Sequence, residues 1–204
     1  LRPPFAGFTK IALISEGSSS PSSLNLSLKR KMAKPSRRVL LVNFICPEFL
    51  APGDDALVPP MGALYLAGAL RESRFEPRIL HLTSAHLPYF KGWLEEINPL
   101  LVGFTVLTGP TIKPILEASR IGKASGIPVI WGGVHPSILP RQCLEEDSID
   151  YVVMGEGEET IVELSNALYE GATPERILGL GYKLDGEIRI EPPRPPIDDL
   201  DRYK

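Results

Sequence analysis

Residues 127–137 read Ile-Pro-Val-Ile-Trp-Gly-Gly-Val-His-Pro-Ser, and they contain the most informative pattern of the sequence. A short apolar run that follows a helical pattern is typical of a central strand in a parallel sheet. The two glycines that end it have no Cβ atoms, so a ligand can approach the backbone closely. In open α/β sheets, ligands bind just outside the carboxyl ends of the strands. For the glycine pair alone, a tight turn between strand and helix remains the alternative.

Two further apolar runs end in turns of the same character. Residues 100–110 read Leu-Leu-Val-Gly-Phe-Thr-Val-Leu-Thr-Gly-Pro, and residues 150–160 read Asp-Tyr-Val-Val-Met-Gly-Glu-Gly-Glu-Glu-Thr. Three successive strands therefore end in a hydroxyl and glycine turn, a Gly-Gly turn and a Gly-x-Gly turn. Because parallel strands share one carboxyl edge, the pattern indicates a ligand site that is built from three neighbouring loops.

The rest of the chain alternates apolar runs with amphipathic segments, which predicts an α/β fold. We expect a Rossmann-like (flavodoxin-like) doubly wound parallel sheet of five strands, followed by a β-hairpin around Asp185-Gly186 and a linker. The first helix should bury Met61, Leu64, Ala67 and Leu70. The predicted strands are 39–44, 78–82, 101–106, 129–131 and 151–154, and the predicted helices are 60–72, 86–97, 112–124, 140–146 and 158–169.

Three regions follow from this reading. Residues 1–37 are Ser/Gly/Pro-rich and then basic, so we expect a disordered or non-native extension. Residues 38–176 form the predicted ligand-binding domain. Residues 177–204 hold the hairpin and a proline-stiffened linker.

Composition narrows the function classes. The net charge of −3 and the absence of a basic stretch in the domain argue against a nucleic-acid partner. No apolar run is long enough to predict a membrane span. The two cysteines, Cys46 and Cys143, suit a reducing cytoplasm better than a disulfide framework.

From Arg38 to Lys204 the chain resembles the cobalamin-binding domain at the N-terminus of cobalamin-dependent radical SAM enzymes. Thr105-Val106-Leu107 matches the Ser-x-Leu motif of cobalamin-binding folds, and Gly132-Gly133 matches their Gly-Gly motif. The patterns Gly-Gly-x-His-Pro and Gly-Glu-Gly-Glu resemble those of the radical SAM branch of this family. The resemblance implies that the cofactor is cobalamin and that it lies at the predicted edge.

On this basis we assign eleven candidate cofactor-binding residues and no catalytic or metal-ligating residue. Thr105 and Thr108 either bind the nucleotide tail or cap the next helix, and both interpretations remain open. The turn around Gly155 and Gly157 precedes a helix, whose free N–H groups suit a phosphate. The candidates are Cys46, Pro47, Thr105, Leu107, Thr108, Gly132, Gly133, His135, Gly155, Glu156 and Gly157.

The loop after the first strand, residues 45–59, is long for a compact α/β unit, where about two to six residues are usual. Cobalamin domains with a coordinating histidine carry Asp-x-His-x-x-Gly in this region, and no histidine occurs here. The resemblance therefore implies base-off cobalamin without a protein histidine on cobalt. We expect His135 to pack beside the tail or to orient its turn, and Cys46 to be a buried or neutral thiol rather than a nucleophile.

A radical SAM iron–sulfur cluster requires Cys-x3-Cys-x2-Cys, and the chain contains no such pattern. The resemblance thus implies a non-catalytic cofactor-binding part of a methyltransferase-like enzyme, with the cluster and S-adenosylmethionine held by a C-terminal barrel outside this chain. The alternative is a cofactor-free docking scaffold for that barrel. A nicotinamide-binding domain is disfavoured because Gly-x-Gly-x-x-Gly does not follow the first strand. A phosphoacceptor domain is disfavoured because Asp54 and Asp55 lie too far beyond that strand.

Overall fold

The computed structural model describes residues 35–46, 59–199 and 203. In this part of the chain there are seven strands and six α-helices, and all the predicted strands and the five predicted helices are present. The strands are β1 (Arg38–Phe44), β2 (Glu76–Leu82), β3 (Leu101–Thr105), β4 (Val129–Gly132), β5 (Tyr151–Val153), β6 (Leu180–Leu184) and β7 (Glu187–Ile190). The helices are α1 (Met61–Glu72), α2 (Leu87–Ile97), α3 (Ile112–Ala124), α4 (Val134–Ile138), α5 (Pro140–Glu145) and α6 (Glu158–Glu170).

The strands form one sheet in the order β2-β1-β3-β4-β5-β6-β7. Strands β1 to β5 are parallel, with Thr105 opposite Gly132 and Gly132 opposite Val153. The order 2-1-3-4-5 is that of flavodoxin-like folds, so the predicted doubly wound sheet is confirmed. The predicted hairpin also forms, and its strand β6 pairs antiparallel with β5, which extends the sheet to seven strands.

Helices cover both faces of the sheet because successive strand residues point to opposite sides. Val39 and Leu41 pack with α1 and α6 on one face, and Leu40 and Val42 pack with α2 and α3 on the other. This double burial explains why the central strands are almost continuously apolar. The two faces thus have separate hydrophobic cores.

The predicted buried face of α1 is partly wrong. Ala67 and Leu70 are buried as expected, but Met61 is 53% exposed and Leu64 is 45% exposed. The helix instead buries small residues, including Ala63 and Gly68, which allow it to lie close to its neighbours. Met61 and Leu64 remain at the surface because a helix has only one face toward the sheet.

Helix α4 was not predicted as a separate element. The sequence indicated one helix near residues 140–146, whereas the structure has α4 directly after Gly133 and α5 from Pro140. A break between them is consistent with Pro140, which lacks an N–H and begins the second helix. Helix α4 brings Ser137 back toward the strand ends.

Candidate functional site

A cavity of about 260 Å³ opens at the carboxyl edge of β3, β4 and β5, between the sheet and helices α1 and α6. Its walls are mainly apolar and include Leu41, Leu66, Ile130, Val153 and Ile161. Six of the eleven residues assigned from sequence line it: Thr105, Gly132, Gly133, Gly155, Glu156 and Gly157. The end of β3 and the two glycine turns after β4 and β5 therefore meet at one site.

Two strand glycines make room for the cavity. Gly103 and Gly132 both line it. A Cβ atom on Gly103 would lie 3.5 Å from Leu41 Cδ2, and one on Gly132 would lie 3.9 Å from Val153 Cβ. Both are ordinary van der Waals distances. The backbone therefore tolerates side chains here, and their absence leaves open space.

Gly133 is required by the backbone itself. Its φ is +99°, and a Cβ atom there would lie 3.0 Å from the carbonyl oxygen of Val106. The same oxygen accepts a hydrogen bond from the N–H of His135 at 3.1 Å. Gly133 lines the cavity, but its missing side chain makes space for the neighbouring loop rather than for a ligand.

Ser137 joins two of the three turns, and sequence reasoning missed it. Its hydroxyl donates to the Gly133 carbonyl at 2.7 Å and accepts from the Gly155 N–H at 2.9 Å. This bridge connects the turn after β4 with the turn after β5. The available sequence feature was a hydroxyl residue four positions after the second glycine of the Gly-Gly pair. One helical turn brings such a hydroxyl back to the glycine carbonyl.

Helix α6 begins at the edge of the cavity. Gly157 is its N-cap and supplies no side-chain hydrogen bond, and Gly155 has φ +69°. The first N–H groups of a helix have no partner within the helix, so this turn is suited to an anionic group. A Cβ atom on Gly157 would lie 3.1 Å from Val153 Cγ1, which indicates close packing below the turn.

Glu158 is the buried charged residue of the cavity wall. The residue is 6% exposed, and its Oε2 atom has no hydrogen-bond partner among the described residues. Burial raises the pKa of this carboxyl, and the nearby charges of Glu156 and Glu159 raise it further. The backbone N–H groups of Glu158 and Gly157 partly oppose that shift.

His135 and Thr108 lie at the same edge but do not line the cavity. Thr108 Oγ1 and His135 Nδ1 are 3.0 Å apart, within hydrogen-bond distance. Helix α3 begins at Ile112 with Thr111 as its N-cap, so capping of that helix by Thr108 is not observed. Leu107, on the same loop as Thr108, is 57% exposed.

The remaining sequence-based candidates are less defined. Cys46 is partly buried at the end of β1, and Pro47 lies outside the described residues together with most of the predicted long loop. Burial raises the pKa of the Cys143 thiol to about 11, so this cysteine is a neutral core side chain. Across residues 35–46, 59–199 and 203, no three His, Cys, Asp or Glu side chains cluster as a metal site requires.

The linker after the hairpin is attached to α6. Arg194 forms ion pairs with Glu159 at 2.7 Å and Glu163 at 2.8 Å, and its Nε donates to Thr160 Oγ1 at 3.1 Å. Its side chain is only 10% exposed. The N–H of Ile197 donates to the Glu156 carboxylate. Glu156 therefore binds the linker at the rim of the cavity.

A cavity at the carboxyl edge of a flavodoxin-like sheet, with glycine turns and a helix N-terminus beside it, defines a nucleotide- or cofactor-binding domain. The family model described as the B12 binding domain matches residues 55–165. The chain belongs to this family of cobalamin-binding domains.

Relatives agree with that assignment. The chain is 35% identical over 148 residues to an uncharacterized methyltransferase of Pyrococcus horikoshii, covering 70% of this chain and 32% of that protein. It is 30% identical over 173 residues to the anaerobic magnesium-protoporphyrin IX monomethyl ester cyclase of Rubrivivax gelatinosus, covering 79% and 31%. The chain thus spans about a third of these relatives.

Solved structures show the same relationship. The radical S-adenosylmethionine methyltransferase TsrM from Kitasatospora setae, solved with cobalamin and a [4Fe-4S] cluster bound, is similar with a TM-score of 0.66 and 29% identity. The match covers 78% of this chain and 29% of TsrM. The predicted relationship to cobalamin-dependent radical SAM enzymes is therefore confirmed. No helix in the described part of the chain has the length and apolarity needed to cross a membrane.

Proposed function

We propose that this chain binds cobalamin base-off, with the nucleotide tail in the cavity and the corrin ring above the carboxyl edge. The observation that carries the proposal is the cavity itself, which is bounded by the end of β3 and by the turns after β4 and β5. In this proposal residues 38–176 hold the cofactor, and residues 177–204 lead to a radical SAM domain of the same polypeptide.

The residues of the cavity fit one part of cobalamin. Pockets that enclose a drug-sized molecule usually have about 300–1,000 Å³. A cavity of about 260 Å³ with apolar walls suits the bicyclic aromatic base of the tail, and it is too small for the corrin ring. The space beside Gly103 and Gly132 admits a flat group against the sheet.

Polar groups at the rim suit the rest of the tail. The turn of Gly155 and Gly157 at the start of α6 would bind the phosphate, because the helix dipole favours an anion at this end of the helix. The Thr105 hydroxyl, which also lines the cavity, would bind the tail from the end of β3. Leu107 would offer an apolar surface to the corrin ring at the same edge.

Cobalt ligation by a protein histidine is not part of the proposal. His135 Nδ1 lies beside Thr108, which supports a role in orienting the turn. The loop after β1 has no histidine at any position. The displaced base therefore enters the cavity without a replacement ligand from this chain.

When bound, cobalamin supplies organometallic group-transfer chemistry. The chain's own residues bind the tail, exclude water with apolar walls and hold the loops in place, and we assign no bond-making residue among them. The cluster, S-adenosylmethionine and a methyltransferase-like reaction belong to the C-terminal domain in this proposal, supported by the names of the relatives. A cytoplasmic location is also proposed, because two cysteines suit a reducing compartment better than a disulfide framework.

A binding experiment tests the proposal. Purified chain is incubated with hydroxocobalamin and separated by gel filtration, and its absorbance is recorded. We expect a coloured protein peak with one equivalent of cofactor, a base-off spectrum, and an unchanged spectrum for His135→Ala. Elution without cofactor would favour the docking scaffold instead. A spectral shift in His135→Ala would place that histidine on cobalt.

A further inference from the structure

Glu158 presents a buried carboxyl oxygen to the cavity. The residue is 6% exposed, and Oε2 has no hydrogen-bond partner in the part of the chain that the structure describes. Most buried polar groups in native proteins have a partner, because burial without one costs free energy. An ionised carboxylate is especially costly to bury alone. An apolar cavity wall thus carries one carboxyl oxygen that has no partner among the described residues and is available to a ligand.

The helix N-terminus does not by itself explain why the Glu158 side chain is buried at the cavity. Glu159 already places a carboxylate in the first turn of α6, where the helix dipole favours it, and that carboxylate also pairs with Arg194. Glu156 accepts from the N–H of Ile197. Both neighbouring glutamates therefore have partners in the linker, whereas Glu158 is the one that is buried against the cavity.

Resting on the proposed function, we propose that Glu158 Oε2 accepts a hydrogen bond from a ribose hydroxyl of the nucleotide tail. The tail consists of a phosphate, a ribose and a base. The phosphate offers acceptors, and the displaced ring nitrogen of the base is also an acceptor. The ribose hydroxyls are the O–H donors of the tail, so they match a carboxylate.

The position of Glu158 fits this assignment. It follows directly after the turn of Gly155 and Gly157, where the phosphate is expected, and it lines the cavity in which the base is expected. The ribose joins those two groups covalently. Carboxylates also bind ribose hydroxyls in other doubly wound nucleotide-binding folds, which shows that the chemistry is suitable.

The test compares two corrinoids, hydroxocobalamin and cobinamide, because cobinamide lacks the whole nucleotide tail, that is, the phosphate, the ribose and the base. Affinities of the purified chain are measured by absorbance titration for the wild type, Glu158→Gln, Glu158→Leu and the control Ser165→Ala. Ser165 is the matched control because it lies on α6, is fully buried and has an Oγ atom without a partner among the described residues, yet does not line the cavity. Thermal unfolding of each cofactor-free variant is recorded in parallel.

For Glu158→Leu we expect the affinity for hydroxocobalamin to fall about tenfold or more, the usual effect of losing a hydrogen bond to a charged group. Affinity for cobinamide should not change, and Glu158→Gln should be intermediate. Ser165→Ala should bind both corrinoids like the wild type. The cofactor-free Glu158→Leu protein should be more stable than the wild type, because an unpaired buried carboxyl has been removed.

The outcomes separate this inference from the proposed function. If the wild type binds neither corrinoid, the proposed function fails. Two results overturn the assignment to the ribose, provided that the wild type binds hydroxocobalamin. In the first, Glu158→Leu binds hydroxocobalamin as tightly as the wild type does. In the second, Glu158→Leu loses affinity for both corrinoids to the same extent. If cobinamide binds too weakly to measure, stability decides: weaker hydroxocobalamin binding with lower cofactor-free stability would mean that Glu158 merely supports the fold.

Discussion

Replacing Gly132 by valine tests whether the cavity is the ligand site. A Cβ atom at this position would lie 3.9 Å from Val153 Cβ, and the backbone is not in the left-handed region. The new side chain therefore enters the cavity rather than the protein interior. Loss of glycine flexibility in a strand stabilises by about 0.5–1 kcal/mol, so we expect unfolding to change little.

The effect on binding should be much larger. The isopropyl group would occupy part of a cavity of about 260 Å³ in which the ligand has to contact the sheet. We expect cobalamin affinity to fall at least about a hundredfold, which corresponds to about 2.7 kcal/mol. Absorbance titration measures the affinity, and urea unfolding of the cofactor-free protein measures the stability.

The control is Gly133→Ala, one residue further along the chain. Its φ of +99° and a 3.0 Å approach of the new Cβ to the Val106 carbonyl predict strain of about 1–3 kcal/mol. For a chain of this size that lowers the melting temperature by about 2–12 °C. Normal cobalamin binding by Gly132→Val would refute the cavity as the site. Wild-type stability of Gly133→Ala would refute the strained turn.

Three further predictions concern polar contacts. Ser137→Ala should lower the free energy of unfolding by about 1–3 kcal/mol and weaken cobalamin binding, because the turn at Gly155 loses its bridge; unchanged urea unfolding and affinity would contradict it. Arg194→Met should lower the free energy of unfolding by about 1–2 kcal/mol and should speed the cleavage of the linker by proteinase K. The control Arg141→Met changes an exposed arginine and should have neither effect. Equal cleavage rates for the two variants would contradict attachment of the linker to α6. Because the native pKa of Glu158 is raised, the folded state binds this proton more tightly than the unfolded state, and stability should fall as pH rises from about 4.3 through the raised pKa. Glu158→Gln should lose less stability over that range in urea titrations, and identical pH profiles for the two proteins would show that the pKa of Glu158 is not raised in the folded state.

Sequence predicted the architecture well because its determinants are local. The apolar runs ending at Gly132 and at Thr105 identify buried parallel strands without knowledge of their neighbours. Asp185-Gly186 predicts its hairpin for the same reason, since φ is positive at both residues in the turn. The errors on α1 arose because apolar spacing alone does not tell which of two possible stripes meets the sheet.

The shape of the site could also be predicted in part, because a glycine at a strand end indicates a position where the backbone leaves space for a neighbouring group. What the sequence left ambiguous was the reason for each glycine. Gly132 leaves room in the cavity, whereas Gly133 satisfies a left-handed backbone beside Val106. The sequence shows glycine at both positions. Only the direction of the absent Cβ atom shows whether the glycine leaves space in the cavity or is required by the backbone conformation.

The polar partners could not be predicted, because they join residues that are far apart in sequence. Ser137 and Gly155 are 18 positions apart, and Glu156 and Ile197 are 41 positions apart. Such pairs form only after the sheet has brought its loops to one edge, and no short motif encodes them. Their arrangement nevertheless determines the character of the site: of the glutamates at the start of α6, the linker binds Glu156, and Glu158 remains toward the cavity. The tertiary fold, rather than the Gly-Glu-Gly-Glu pattern, therefore gives these similar side chains different roles.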